Sequence, residues 1–267
     1  MKPIKLYWCR EKGRDNPEKQ NFGDYLSPLL VERLAGRKVE YAPIHKADLV
    51  AIGSVLERER KAKHWGIVPR KLHIWGTGSG VPDISFSGRH HYHAVRGALT
   101  LAQITSPSSV PALGDPGLLA PLLLEQASYS KKYSIGLIPH YADMNEPAVA
   151  KLLASPLNIH LINVFSPVKQ VLEEIASCDF ILSSSMHGLI VADAFKVPNK
   201  WLLFSEGRIS QYKFHDYYTI FDIFDQKPAL PEQILNNSKI IKEIIENYRR
   251  PHIEMRKEAL INSFPSL

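Results

Sequence analysis

Short apolar, β-branched runs that end in Gly, Asp or Ser alternate along the chain with stretches whose apolar residues recur at helical spacing. That alternation is the pattern of parallel α/β architecture. It predicts strands at residues 4–9, 39–41, 48–52, 72–75, 93–95 and 111–113, then at 134–138, 159–163, 180–182 and 200–204. Helices are predicted over 25–34, 146–153, 168–177 and 189–195. Asp24 stands before the first of these as a candidate N-cap. The NFGD segment then sits at a helix entrance, where backbone N–H groups lack intrahelical partners and suit an anion.

Between residues 119 and 132 the periodicity degrades into LAPLLLEQASYSKK, after which a new strand series opens with YSIGLIPH. A boundary is expected there, dividing the chain into an α/β lobe over 1–130 and a second over 131–267. The tail from 231 to 264 holds two helical patterns, PEQILNN and SKIIKEIIENYRR, interrupted at Pro251. Its apolar stripe of Ile240, Ile244, Ile245 and Tyr248 is expected to pack on the lobes. Parallel sheets bind ligands beyond the carboxyl ends of their strands, so the chemistry belongs in a cleft between the halves. Those strand ends read GSVL, WGTGSG, VRG, LGDPGLL, IPH and SSSMHG.

With 267 residues, 45% of them hydrophobic and 22% charged, the chain can bury a core without disulfides or a structural metal. Cys9 and Cys178 have no metal-ligand spacing and are expected to be free thiols in a reducing compartment. The first apolar run is broken at Lys5 and ends at Arg10, too early for a signal-peptide core. No stretch approaches the roughly 18 apolar residues of a membrane span. A soluble, cytoplasmic protein is expected, with peripheral membrane contact left open. The net charge of +6 favours an anionic partner. Because the basic residues are dispersed among acids, a small anion fits better than a nucleic acid.

Residues 179–195, DFILSSSMHGLIVADAF, carry the densest chemistry: a strand runs into three hydroxyls, a histidine and a glycine at the mouth of a helix. Such a mouth offers hydroxyls, unpaired N–H groups and a positive dipole end to a phosphate or carboxylate. An imidazole beside a bound anion is favoured as imidazolium, which makes His187 a candidate acid. The bland alternative is that the serines cap the helix and His187 packs in a loop. Asp115 similarly either caps the tight turn after its strand or presents a carboxylate, and Asp24 either caps or contacts ligand. His140 faces either the cleft or the surface. Tyr217 and Tyr218, beside His215 and Asp216, either stack on a sugar ring or pack the tail.

The glycines of WGTGSG permit close backbone approach, but their spacing and late position exclude a dinucleotide fingerprint. The pairs His45/His64 and His90/His91/His93 lack a carboxylate or thiolate partner at ligand spacing, so no metal is expected. A G-x-S-x-G elbow and a Walker loop are absent from the sequence.

NFGDYLSP, AIGSVLE, HIWGTGSG, AVRGALT, LGDPGLL, SSSMHGLIVADAF and KFHDYY occur in the order and approximate spacing of the polysaccharide pyruvyl transferase family, and the resemblance covers residues 21–218. It implies an α/β fold of two Rossmann-like lobes similar to a GT-B glycosyltransferase, here with a C-terminal helical tail. It implies phosphoenolpyruvate as donor, with no further cofactor. It also implies an acceptor sugar in a surface or secreted glycan or its precursor, lipid-linked oligosaccharides included. His187 matches the histidine of the family's S-x-x-H-G motif, and Arg96 matches an arginine before the LGDP segment. Some members carry arginine where this chain has Ser185. The missing charge is then expected from Lys213, from Arg208, or from the helix dipole together with Ser183, Ser184, Ser185 and Gly188.

On that resemblance, His187 transfers a proton near the donor, Arg96 clamps its anionic groups, and Asp115 or Asp24 supplies an acceptor-side carboxylate. Asn21, His140 and Tyr217 are candidate acceptor contacts. Two other readings stay in view. A nucleotide-sugar glycosyltransferase is disfavoured because the second half has no acid after SSSMHG until Asp193 inside the helix. An inactive glycan- or anion-binding relative is supported by Ser185 and opposed by His187, Arg96 and the LGDPG turn.

Overall fold

Two parallel sheets, joined through one core, organise the chain in a computed structural model that describes residues 2–10, 20–61, 70–125, 129–237 and 239–267. His64 and residues 126–128 of the expected boundary lie outside the described residues. In chain order the elements are β1 (Ile4–Tyr7), α1 (Phe22–Ala35), β2 (Val39–Tyr41), β3 (Leu49–Val50), α2 (Leu56–Lys61), β4 (His73–Trp75), β5 (Phe86–Ser87), β6 (His91–Val95), α3 (Ala98–Ala102), β7 (Ile104–Thr105) and β8 (Ala112–Leu113). A 3-10 segment over Pro116–Leu123 follows. Then come β9 (Tyr133–Ile138), α4 (Pro147–Leu153), β10 (Ile159–Leu161), α5 (Val168–Ala176), β11 (Cys178–Ser183), α6 (Met186–Ala194), β12 (Asn199–Trp201), α7 (Tyr212–Tyr218), α8 (Pro231–Asn236), α9 (Ile240–Asn247) and α10 (Ile253–Asn262).

The first sheet has six strands in the order β2-β1-β3-β4-β6-β8, and the second has four in the order β10-β9-β11-β12. Every pairing in both is parallel. β5 and β7 form a separate parallel pair. Parallel strands need crossovers that cover both faces, so their side chains are apolar on both sides. β11 shows this: of its residues only Asp179 is exposed. α5 buries one stripe, Val171, Leu172, Ile175 and Ala176. α6, by contrast, is buried at every position from Met186 to Ala194, as a helix enclosed on all sides must be.

A single apolar cluster contains Leu6, Leu26 and Trp75 from the first half and Ile138, Ile181 and Ile190 from the second. Leu118, Leu119 and Ala120 of the 3-10 segment are buried within it. The periodicity is lost there because this segment is a central, short-period helix with Pro116 at its start and Pro121 inside. The tail forms three helices rather than two. Pro251 sits in the turn before α10, which returns to the first sheet: the Trp75 indole N–H donates to the Leu260 carbonyl at 2.9 Å, and Phe264 meets Trp75 edge to face. Ile240 and Ile244 pack on the core around β9 and β11. Among the described residues no helix is long and apolar enough to cross a membrane.

Candidate active site

The carboxyl ends of both sheets and the N-termini of α1 and α6 converge on one place. The first helix is capped by Asn21, whose Oδ1 accepts from the Gly23 N–H at 3.0 Å, so the expected capping role of Asp24 falls to the residue three earlier. Asp24 instead lies in the first turn and faces the cleft. His187 occupies the first turn of α6, and its ring packs directly on Gly23. A Cβ at Gly23 would stand 2.3 Å from His187 Nδ1 and 2.7 Å from Cγ, so only glycine leaves the imidazole its place.

The cleft measures about 300 Å³ and gathers Asn21, Asp24, His140, Ser185, His187 and Lys213 from segments far apart in the chain. All six are candidates read from the sequence. Ser54, from the GSVL strand end, and Arg58 also line it and were not singled out there. Gly23 was missed as well, because nothing local distinguishes it from any glycine at a helix start.

Beneath the cleft, Asp115 is completely buried, and its Oδ1 accepts from the Gly117 N–H at 2.8 Å. Its Oδ2 has no hydrogen-bond partner, and neither has the buried His187 Nε2 that faces it at 3.8 Å. Burial pushes the Asp115 carboxyl up to about 6, moderated by the Gly117 N–H and Arg96. Burial pushes the His187 imidazole down to about 3, with Lys213, Arg96 and His140 adding to the effect. The ring is therefore neutral at pH 7, and the expected imidazolium requires the field of a bound anion. Asp115, lying under the ring, is also in no position to meet an acceptor sugar.

Lys213 projects from α7 into the cleft, half-buried, and desolvation followed by repulsion from Arg96 lowers it to about 8. It stays a cation at pH 7. His140 is held down to about 4 by burial and then by Lys213; its Nδ1 accepts from the Ala142 N–H at 3.2 Å.

Several of these expectations need correcting. Arg96 cannot clamp a ligand directly, because its side chain is fully buried and its guanidinium is already shared out. Nε donates to Asp216 Oδ2 at 2.9 Å, Nη1 to Ser54 Oγ at 2.7 Å, and Nη2 to the Ser79 carbonyl. Gly78 of WGTGSG makes room for this arginine: a Cβ there would lie 2.5 Å from Arg96 Cζ. Tyr217 is wholly buried, its hydroxyl donating to Asp193 at 2.7 Å, so no sugar can stack on it. Arg208 lies outside the cleft lining, paired with Glu146 and reaching Asp143 at 3.8 Å. Of the three serines, Ser183 donates to the Ile138 and Ser185 carbonyls, and Ser184 donates to Asp143 at 2.7 Å. Only Ser185 lines the cleft. Gly188 serves packing, since a Cβ there would lie 2.4 Å from Ser183 Oγ.

Among the described residues, no group of three or more His, Cys, Asp or Glu is arranged to hold a metal ion. The arrangement can bind an anion at the paired helix mouths beside Lys213, and it can move a proton through His187.

The chain is 31% identical over 228 residues to the succinoglycan biosynthesis protein ExoV of Rhizobium meliloti (strain 1021), an alignment covering 81% of this chain and 64% of that protein. It is 27% identical over 221 residues to an uncharacterized protein of Acanthamoeba polyphaga mimivirus, covering 76% of this chain and 71% of the relative. The chain thus spans somewhat under two thirds of the length of ExoV. Residues 21–202, which run from the α1 cap through the α6 mouth to β12, match the family described as polysaccharide pyruvyl transferase. The chain belongs to the polysaccharide pyruvyl transferase family.

Proposed function

We propose that the chain transfers the enolpyruvyl unit of phosphoenolpyruvate to two hydroxyls of a sugar, forming a cyclic ketal on a surface or secreted polysaccharide or its precursor. The observation that carries this reading is one cleft holding two helix N-termini, the Lys213 cation and a buried Asp115–His187 contact. A trianionic donor gains from the first two, and ketal formation needs the proton transfers of the third. The name of ExoV, a succinoglycan biosynthesis protein, points to an exopolysaccharide acceptor.

The reaction balances without electron transfer, so no redox cofactor is invoked. One acceptor hydroxyl loses its proton while the donor methylene gains one to become a methyl, and the hydroxyl oxygen bonds to the adjacent carbon. The second hydroxyl closes the ring, phosphate leaves with the bonding pair, and the second proton leaves with it. Neutral His187 suits the first exchange, accepting the hydroxyl proton and delivering it to the methylene. Lys213, Ser185 and the α6 mouth hold the donor anion, and Lys213 supplies the charge that arginine supplies in members with S-R-L-H-G. Asn21, Asp24 and His140 line the acceptor side.

We read the two sheets as the cores of lobes over 1–130 and 131–267 in a GT-B-like arrangement, working in the cytoplasm where phosphoenolpyruvate is made. A nucleotide-sugar site is less apt. Asp193, the nearest carboxylate beyond SSSMHG, is buried under Tyr217, Tyr248, Asn199 and Arg250.

The test is incubation with phosphoenolpyruvate and a pyruvylatable glycan, following phosphate release and the ketal methyl signal by NMR. The two should appear in equal amounts, and phosphoenolpyruvate alone should raise the melting temperature. Stabilisation by a nucleoside diphosphate with none by phosphoenolpyruvate would overturn the proposal.

A further inference from the structure

Capping explains half of Asp115. One carboxylate oxygen on the Gly117 N–H closes the 3-10 segment, and a neutral Ser or Asn does that work as well. It leaves unexplained why a charged residue is used at a fully buried position, where an uncompensated carboxylate is expensive. It also leaves unexplained the second oxygen, which is buried, unpartnered and turned toward the equally unpartnered His187 Nε2. Buried polar atoms are nearly always satisfied, so two orphans facing each other call for one explanation.

We propose that Asp115 is the positioning residue for His187: it holds the imidazole with Nε2–H turned into the core, leaving Nδ1 as the working nitrogen, and it balances the imidazolium formed when the proton moves. This rests on the ketal-forming reading above and assigns the tautomer within it. At 3.8 Å the contact is longer than a hydrogen bond, and it would tighten to one in the complex with donor and acceptor. The ring cannot retreat toward α1, because Gly23 packs on its Nδ1 side. An imidazolium would otherwise face only cations and an imidazole: Lys213 on α7, Arg96 after β6 and His140 after β9. Arg96 is offset by Asp216, and Asp24 on α1 faces Lys213 across the cleft, which leaves Asp115 as the carboxylate in contact with the ring.

Asp115 gains a proton as pH falls through about 6, so an acid limb in kcat/KM is expected there. Asp115→Asn keeps an acceptor for Gly117 and volume in the core, but its amide presents N–H to Nε2 and stabilises the wrong tautomer. Turnover should fall on the order of 10³-fold, KM for phosphoenolpyruvate should change only a few-fold, and the acid limb should vanish. The independent readout needs no substrate: ¹⁵N NMR of the His187 ring should show Nε2–H in the wild type and Nδ1–H in Asp115→Asn. Wild-type protein with Nδ1–H, or a variant that turns over within a few-fold of wild type, overturns the assignment. If neither protein consumes phosphoenolpyruvate, the reaction reading fails, while the ring spectra still decide whether Asp115 sets the tautomer.

Discussion

Replacing Gly23 with alanine sets two physical effects against each other, and the structure says which wins. Gly23 lies in the first turn of α1, where alanine is the better helix former by up to about 1 kcal/mol. The added methyl would stand 2.3 Å from His187 Nδ1 and 2.8 Å from its Cβ, so an ordinary contact of 3.4 Å requires the ring to move by about 1 Å. Movement on that scale is worth about 10²-fold in rate where a catalytic group must meet its substrate. The overpacked interior should also lose about 1–3 kcal/mol, outweighing the propensity gain. Phosphate release at saturating donor and acceptor should therefore drop about 10²-fold, with a modest fall in melting temperature. Because Gly23 offers no side chain to any ligand, the loss would be transmitted through His187. A Gly23→Ala enzyme with wild-type turnover would show that the imidazole does not work from this position.

Arg96→Ala removes one partner of a pair with both side chains fully buried and leaves Asp216 an uncompensated charge, so unfolding should become easier by about 3–5 kcal/mol, read by denaturant melts. Lys213→Ala should leave the fold intact and weaken phosphoenolpyruvate about 10- to 100-fold by calorimetry. Wild-type affinity should fall as pH rises through about 8, where Lys213 loses its proton, and the variant should lack that dependence. An unchanged pH profile in Lys213→Ala would place the anion elsewhere.

The parallel α/β class was legible because β11 carries an unbroken apolar run at 180–182 while α5 keeps a helical period, and strand ends named from sequence line the cleft. The segment after LGDP was harder. LLAPLLL has no polar face to mark it, and it reads as a failing pattern although Leu118, Leu119 and Ala120 are buried where the segment meets α1, α6 and α10. His187, Asn21, Asp24, His140, Ser185 and Lys213, named from short motifs and their flanks, line one cleft in the fold. The role of Arg96 was not readable. An arginine at a strand end looks the same whether it meets a ligand or an aspartate 120 positions away, and only the fold brings Asp216 to it. For the same reason the sequence left the missing charge open between Lys213, Arg208 and the helix dipole with its serines, and the fold puts Lys213 in the cleft while Arg208 pairs with Glu146.

The central claim is that His187 moves the proton while other groups hold the donor. His187→Gln tests it most directly, with phosphoenolpyruvate affinity measured by calorimetry and phosphate release measured in the presence of a pyruvylatable acceptor. Affinity should stay within a few-fold of wild type and turnover should fall by at least about 10²-fold, the usual scale of a lost acid–base group. Turnover near the wild-type rate in a folded His187→Gln protein would contradict it and make the histidine a packing residue.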